Sequence, residues 1–167
     1  MIGGQPAARI GDADFRDLRL LGTALTVLGF EDIIFARRAA FTLTAIPEAL
    51  RRRGSLALEV AAAPARLAEA VFDLQRLMRR LALEELDPKD LGDFVRVQAG
   101  RDAAAIQGTL ALASHLSYRE ASGLGASSYL EDLTDLTPPK PSRIRELSAR
   151  YLNPENWIVV KVGPASR

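Results

Sequence analysis

Residues 145–167, RELSARYLNPENWIVVKVGPASR, pass from a charged helical pattern through Asn153-Pro154 into a β pattern that closes the sequence. Asn-Pro ends the helix, because the residue before proline is pushed out of the α region. After it, Ile158, Val160 and Val162 alternate with Trp157, Val159 and Lys161. A strand in that position needs a sheet already built by earlier residues. Lys161 predicts that one side is partly wet or that the strand lies near an edge.

Working outward, the partners are sought upstream. Phe41, Leu43 and Ala45 alternate with Thr42 and Thr44 ahead of Pro47, and Leu56-Ala57-Leu58-Glu59-Val60 alternates again. Both predict short strands. The final strand is therefore expected to return to a sheet made near residues 40–62. Residues 1–12, with Gly3, Gly4, Pro6 and Gly11, read as a connector.

The remaining pattern is helical. Phe15, Leu18, Leu21 and Leu25 follow helical spacing from Asp14, with Gly29 as a stop. After Pro64, Leu67, Val71, Leu74, Met78 and Leu81 form one face, opposite Arg66, Glu69, Asp73, Arg76 and Arg80. Such a one-sided helix lies on a core. Asp87-Pro88 starts the next helix with an N-cap and a proline at its first position. It is expected to run to about Tyr118, although Gly92, Gly100 and Gly108 each cost it roughly 1 kcal/mol against alanine. A helix over about 127–136 follows, then a stop at Thr137-Pro138-Pro139, and Ser142 caps the last helix. This order predicts one α+β domain over 1–167, with helices packed on one face of a mostly antiparallel sheet.

Composition narrows the chemistry. Lysine plus arginine (22) nearly balance aspartate plus glutamate (21), so no global field argues for nucleic acid. Arg51-Arg52-Arg53 before Gly54 reads as a solvated turn. No stretch reaches the ~18 apolar residues of a membrane span, so neither nucleic acid nor membrane is an expected partner. The start has no basic segment leading into an apolar run, which makes the cytoplasm the default compartment and the periplasm an alternative.

The 167 residues include no cysteine and one histidine, His115. That set excludes thiolate zinc sites and any zinc site needing two histidines from this chain. Ser114, Ser117 and Ser122 lie near His115, but neighbouring helical positions point apart and no Gly-x-Ser-x-Gly elbow exists. SGLGASS at 122–128 lacks the Lys-Ser/Thr ending of a phosphate loop and reads as a helix–helix connector. From residues alone, the chain is a non-catalytic domain.

Three blocks carry a family resemblance. GGQPAARIGDADFRDLRLLGTAL (3–25), GSLALEVAAAPARLAEAVFDLQRLMRRLALEELDPKDL (54–91) and IRELSARYLNPENWIVVKVGPA (144–165) keep their order and spacing. Together they resemble the second half-domain of the M16 peptidases, the pitrilysin and mitochondrial processing peptidase family. The resemblance implies a LuxS/MPP-like metallohydrolase half-domain. In that family two such halves face each other around a chamber, and one carries the inverted zinc motif His-x-x-Glu-His. This chain lacks the motif and falls with the non-catalytic halves.

The resemblance further implies a zinc-bearing M16 subunit or domain as partner, zinc there rather than here, and a peptide substrate enclosed between them. A pure scaffold, as in respiratory-complex core subunits, is the alternative, and a hydrolase using His115 is a third reading. The family's second half usually continues with Gly-Gly-x-x-Ser-Arg-Leu and then Gly-Leu-x-Tyr, whose arginine and tyrosine reach the substrate carbonyl. Here LGFEDIIFARRAAFTL (28–43) stands instead, making 30–53 atypical, and the first strand is expected to be truncated. Phe41 falls near the tyrosine without its hydroxyl, and Arg37 and Arg38 are the weak candidates for the substrate-binding arginine.

Overall fold

The computed structural model describes residues 1–49 and 51–163. Four strands, β1 (Ile2–Ala7), β2 (Thr42–Ala49), β3 (Gly54–Ala61) and β4 (Ile158–Val160), form one antiparallel sheet in the order β2-β3-β1-β4. Six helices accompany it: α1 (Asp14–Gly29), α2 (Leu67–Leu83), α3 (Pro88–Ala105), α4 (Thr109–Ser122), α5 (Ser128–Thr134) and α6 (Pro141–Tyr151). The α+β architecture expected from the sequence is present.

Three expectations need correction. Residues 2–7 are a strand lying between β3 and β4, not a connector. Glycines there cost strand propensity, but packing sets the outcome: a Cβ on Gly3 would come within 3.3 Å of the Trp157 ring. In consequence β4 joins the sheet of β2 and β3, as expected, with β1 as its direct partner through Ile2↔Val160 and Gly4↔Ile158. Finally, the long helix expected from Pro88 breaks at 106–108, where Gly108 is extended (φ −95°, ψ 142°) and starts α4. Lys140 rather than Ser142 occupies the N-cap of α6, and Pro141 takes its first turn.

The core lies between the sheet and α1, α2 and α6. Leu56, Leu58 and Val60 of β3 meet Leu18, Leu21 and Leu25 of α1, Leu74, Leu77 and Leu81 of α2, and Ile144 and Leu147 of α6. Each such fully buried aliphatic side chain contributes about 1.5–3 kcal/mol of transfer free energy. The face of α2 matches its sequence pattern with one exception, because Asp73 is 3% exposed. Pro47 sits within β2, which an edge strand tolerates because a missing N–H there leaves no inner ladder bond unmade. Thr26 ties α1 to this strand: its Oγ1 donates to the Gly22 carbonyl (2.9 Å) and accepts the Ala45 N–H (3.0 Å).

Candidate functional site

Two regions bear on function: the atypical segment after α1, and the sheet face that no helix covers. α1 passes without a break into a π-helical turn over Phe30–Ala36. The wider turn closes with the Arg37 N–H on the Asp32 carbonyl (3.0 Å) and the Ala39 N–H on the Ile33 carbonyl (2.9 Å). Arg38 pays for this exit with a left-handed backbone, φ +54°. L-residues other than glycine adopt that region at about 1–2 kcal/mol.

Arg37 is held on the helix side of the sheet. Its Nε donates to Asp32 Oδ1 at 2.9 Å, and its Nη1 lies 3.8 Å from Asp73 Oδ1. Arg76 of α2 donates to Asp32 Oδ2 at 3.0 Å and lies 3.4 Å from Asp73 Oδ1. Arg66 donates to the Arg37 carbonyl at 3.0 Å. Burial raises the Asp32 carboxyl, but hydrogen bonds and charge from Arg37 and Arg76 outweigh it and hold Asp32 below its ordinary range. Asp73 Oδ2, buried beside them, has no hydrogen-bond partner among the described residues. Arg37 is thus engaged by carboxylates that join the π-turn to α2. Arg38 is exposed, and Phe41 is 70% exposed just ahead of β2 with its N–H on the Ala61 carbonyl (2.7 Å).

His115 belongs to a separate polar cluster. Its Nε2 accepts from Arg119 Nε at 3.3 Å, and its ring meets Tyr129 edge-on with centroids 4.5 Å apart. Arg119, nearly buried, also donates to Ser128 Oγ (2.7 Å) and to Asp132. The nitrogen a base would use is therefore occupied by a guanidinium, while Ser114 and Ser117 point to solvent. The 122–128 segment is the connector expected: Gly123 (φ +82°) ends α4, and the Leu124 N–H returns to the Arg119 carbonyl.

Among the described residues, no group of three or more histidine, aspartate or glutamate side chains is placed to hold a metal ion. With one histidine and no cysteine, the chain does not fit the zinc ligand set of a peptidase. Among the described residues no helix is long and apolar enough to cross a membrane.

The bare sheet face was not legible as a site in the sequence. Burial of Leu43, Gly3, Gln5, Leu56, Leu58 and Val60 marks the helix-covered side. Alternation then places Thr44, Glu59, Ile2 and Val160 in one cross-strand row of the opposite side, and Ile46, Ala57, Gly4 and Ile158 in the next. Among the described residues nothing packs over the outer part of these rows: Ile2 is 46% exposed, Ile158 75% and Val160 52%.

No protein-family profile matches the chain. No curated protein does either. Solved structures do match in fold. The peptidase M16 inactive domain from Pseudomonas fluorescens superposes with a TM-score of 0.78 at 14% identity, over 93% of this chain and 38% of that one. An inactive peptidase domain from Bordetella parapertussis gives 0.76 at 14% identity, over 99% of this chain and 92% of that one. A protease from Helicobacter pylori gives 0.76 at 15% identity, over 93% of this chain and 39% of that one. The chain thus spans well under half the length of two of these proteins and nearly all of the third. It has the fold of an M16 peptidase inactive half-domain.

Proposed function

We propose that this chain is the non-catalytic half of an M16-type peptidase: it pairs with a zinc-bearing subunit or domain and helps enclose an extended peptide for cleavage there. The observation that carries the reading is a conjunction. The fold is that of inactive M16 domains, while the sequence has a single histidine and no cysteine. Catalysis by zinc in this arrangement requires ligands from elsewhere. The uncovered sheet face gives such a pairing a surface to enclose. Arg37 and Arg38 remain the sequence's candidates for substrate contact, and the carboxylates that hold Arg37 argue for a positioning role in the π-turn instead.

The test is affinity purification of the tagged chain from its native extract, with mass spectrometry of stoichiometric partners and zinc analysis of the complex. A co-eluting chain bearing His-x-x-Glu-His, and metal-dependent peptide turnover by the pair, is the expected result. A stable monomer without zinc or partner overturns it. Stoichiometric pairing without turnover supports a scaffold role instead.

A further inference from the structure

The sheet has two edges, and they are protected unequally. On β2, Pro47 stands within the strand, and Thr26 Oγ1 of α1 takes the Ala45 N–H at 3.0 Å. Both devices blunt an edge against further pairing. β4 has no such cover among the described residues, and Ile158, Val159, Val160 and Val162 are all exposed.

Hydrogen-bond alternation fixes which groups of β4 face outward. Met1 and Val60 exchange both backbone bonds, at 2.8 and 2.9 Å. Successive residues of a strand turn their N–H and C=O to opposite sides. Met1 and Gly3 therefore address β3, and Ile2 and Gly4 address β4. Their register partners, Val160 and Ile158, turn their backbone groups inward, so those of Val159 point out. Trp157 and Lys161 follow Val159 by the same alternation. The Trp157 N–H already returns to the Pro154 carbonyl at 3.3 Å. The other outward groups have no partner among the described residues.

We propose that β4 pairs antiparallel with β4 of a second copy about a twofold axis at Val159, joining two four-stranded sheets into one. Residues 157–161, Trp-Ile-Val-Val-Lys, complement themselves in that register. Val159 exchanges both its backbone bonds with Val159 of the second copy, and the Trp157 carbonyl accepts the Lys161 N–H of that copy. The side chains agree. On the bare face Ile158 meets Val160 of the second copy, which prolongs the aliphatic row of Ile2 and Val160. On the other face, where Trp157 and Val159 lie against Gly3, the indole stands opposite the second copy's Lys161, a cation beside an aromatic ring. Neighbouring registers fail: an axis at Lys161 sets two lysines opposite each other, and one at Trp157 needs an N–H that is already engaged. A pair this short belongs to the transient size class, so the dimer is concentration-dependent. The inference goes beyond the proposed function and needs no zinc-bearing partner.

The experiment is sedimentation velocity of the full chain over a range of concentrations, which should show a monomer passing into a dimer. Val159→Pro removes one outward N–H and no bond of the sheet itself, so it should keep the fold by circular dichroism and lose the dimer. Lys161→Glu should weaken association about two- to fivefold, as for an exposed cation–π contact. The chain has no cysteine, so a single introduced one tests the register. Cα atoms of a hydrogen-bonded cross-strand pair lie about 5.5 Å apart, within disulfide reach. Mild oxidation should cross-link Val159→Cys and spare Val162→Cys. A monomer at every concentration, with no preference between the cysteine variants, overturns the proposal. So does a dimer that survives Val159→Pro with the fold intact. If Val159→Pro unfolds the chain, the two cysteine variants decide. A chain that stays monomeric alone, yet loses its zinc-bearing partner through Val159→Pro, would give this edge to that partner and sink the second copy as its occupant.

Discussion

Arg119 Nε donates to His115 Nε2 at 3.3 Å, so the molecule's one histidine sits folded as a neutral acceptor against a guanidinium. Both residues belong to α4, and both reach across to α5, where the His115 ring meets Tyr129. Arg119 is the one buried residue of α4, and it reaches Ser128 and Asp132 of α5. Tyr129 of α5, under the same guanidinium, donates to the Asp102 carbonyl of α3 at 3.1 Å. Asp102 Oδ1 in turn accepts from Arg19 of α1 (2.5 Å) and Gln98 (3.0 Å).

This geometry predicts acid sensitivity of the α4–α5 region. Burial lowers the His115 pKa from 6.5, the charges of Arg119 and Arg19 lower it further, and Asp102 and Asp132 oppose them only in part. The folded state therefore binds fewer protons than the unfolded chain below pH 6.5. Stability falls as pH drops from 6.5 through the depressed folded value, and levels off below it. Urea midpoints between pH 8 and 5 should show this loss, and His115→Gln, which cannot titrate, should flatten it. An unchanged slope in the variant would assign the loss to other groups.

Gly54 opens β3 where Ala8 turns out of β1. A Cβ built there would lie 1.8 Å from the Ala8 carbonyl oxygen, a backbone atom with no side-chain freedom to retreat. Gly54→Ala must then shift the strand ends. A destabilisation at or above the upper end of the roughly 1–3 kcal/mol typical of overpacking is expected in urea titrations. A variant as stable as the parent would show that β1 can slide there at no cost.

How far the sequence told these outcomes in advance depends on where the information lies. α2 was legible because its apolar stripe is continuous and α1 because its spacing is helical, although Gly29 (φ −67°) does not stop it and carries the helix into the π-turn. β1 was hidden, since Gly3, Gly4 and Pro6 disfavour a strand locally and only Trp157 and β3 make one of them. Asp73 reads as a wet-face residue, yet the π-turn folds over it. The candidate surface was illegible for the same reason as β1. Glu59, Ile2 and Val160 lie far apart in the chain, and only the β3-β1-β4 order sets them in one row.

Asp14 clamps α6 onto α1. Its carboxylate accepts from Arg143 and Arg150, each at 2.5 Å, and from the Tyr151 hydroxyl at 3.3 Å, while Arg143 also reaches Asp17 at 3.2 Å. Burial raises the Asp14 pKa, but Arg143, Arg150 and Tyr151 outweigh it, so the carboxyl titrates below 3.8. Stability from this clamp is present above the unfolded value and is lost as pH falls through the lowered folded one. At neutral pH, Asp14→Asn should cost about 1.5–3 kcal/mol, the range for hydrogen bonds to charged groups. Denaturant titration of Asp14→Asn beside Asp17→Asn checks it, and a smaller effect from Asp17, which holds one partner, is the expected order.

Arg37 and Arg38 are sequence neighbours with opposite roles in the π-turn, and variants should separate them. The Arg37 side chain donates to Asp32 and lies 3.8 Å from Asp73 of α2, so Arg37→Ala removes a tie between the turn and α2 and should lower the melting temperature. Arg38 occupies a left-handed backbone with its side chain exposed, so Arg38→Gly relieves strain. The gain is partly offset by the freer unfolded glycine chain, leaving a net stabilisation of up to about 1 kcal/mol. Neither residue lies in the rows of the bare face, so both variants should still pair with the zinc-bearing partner and support peptide turnover like the parent. Loss of turnover by the pair in Arg37→Ala with its fold intact would instead return Arg37 to the substrate-contact role that its place after α1 suggested.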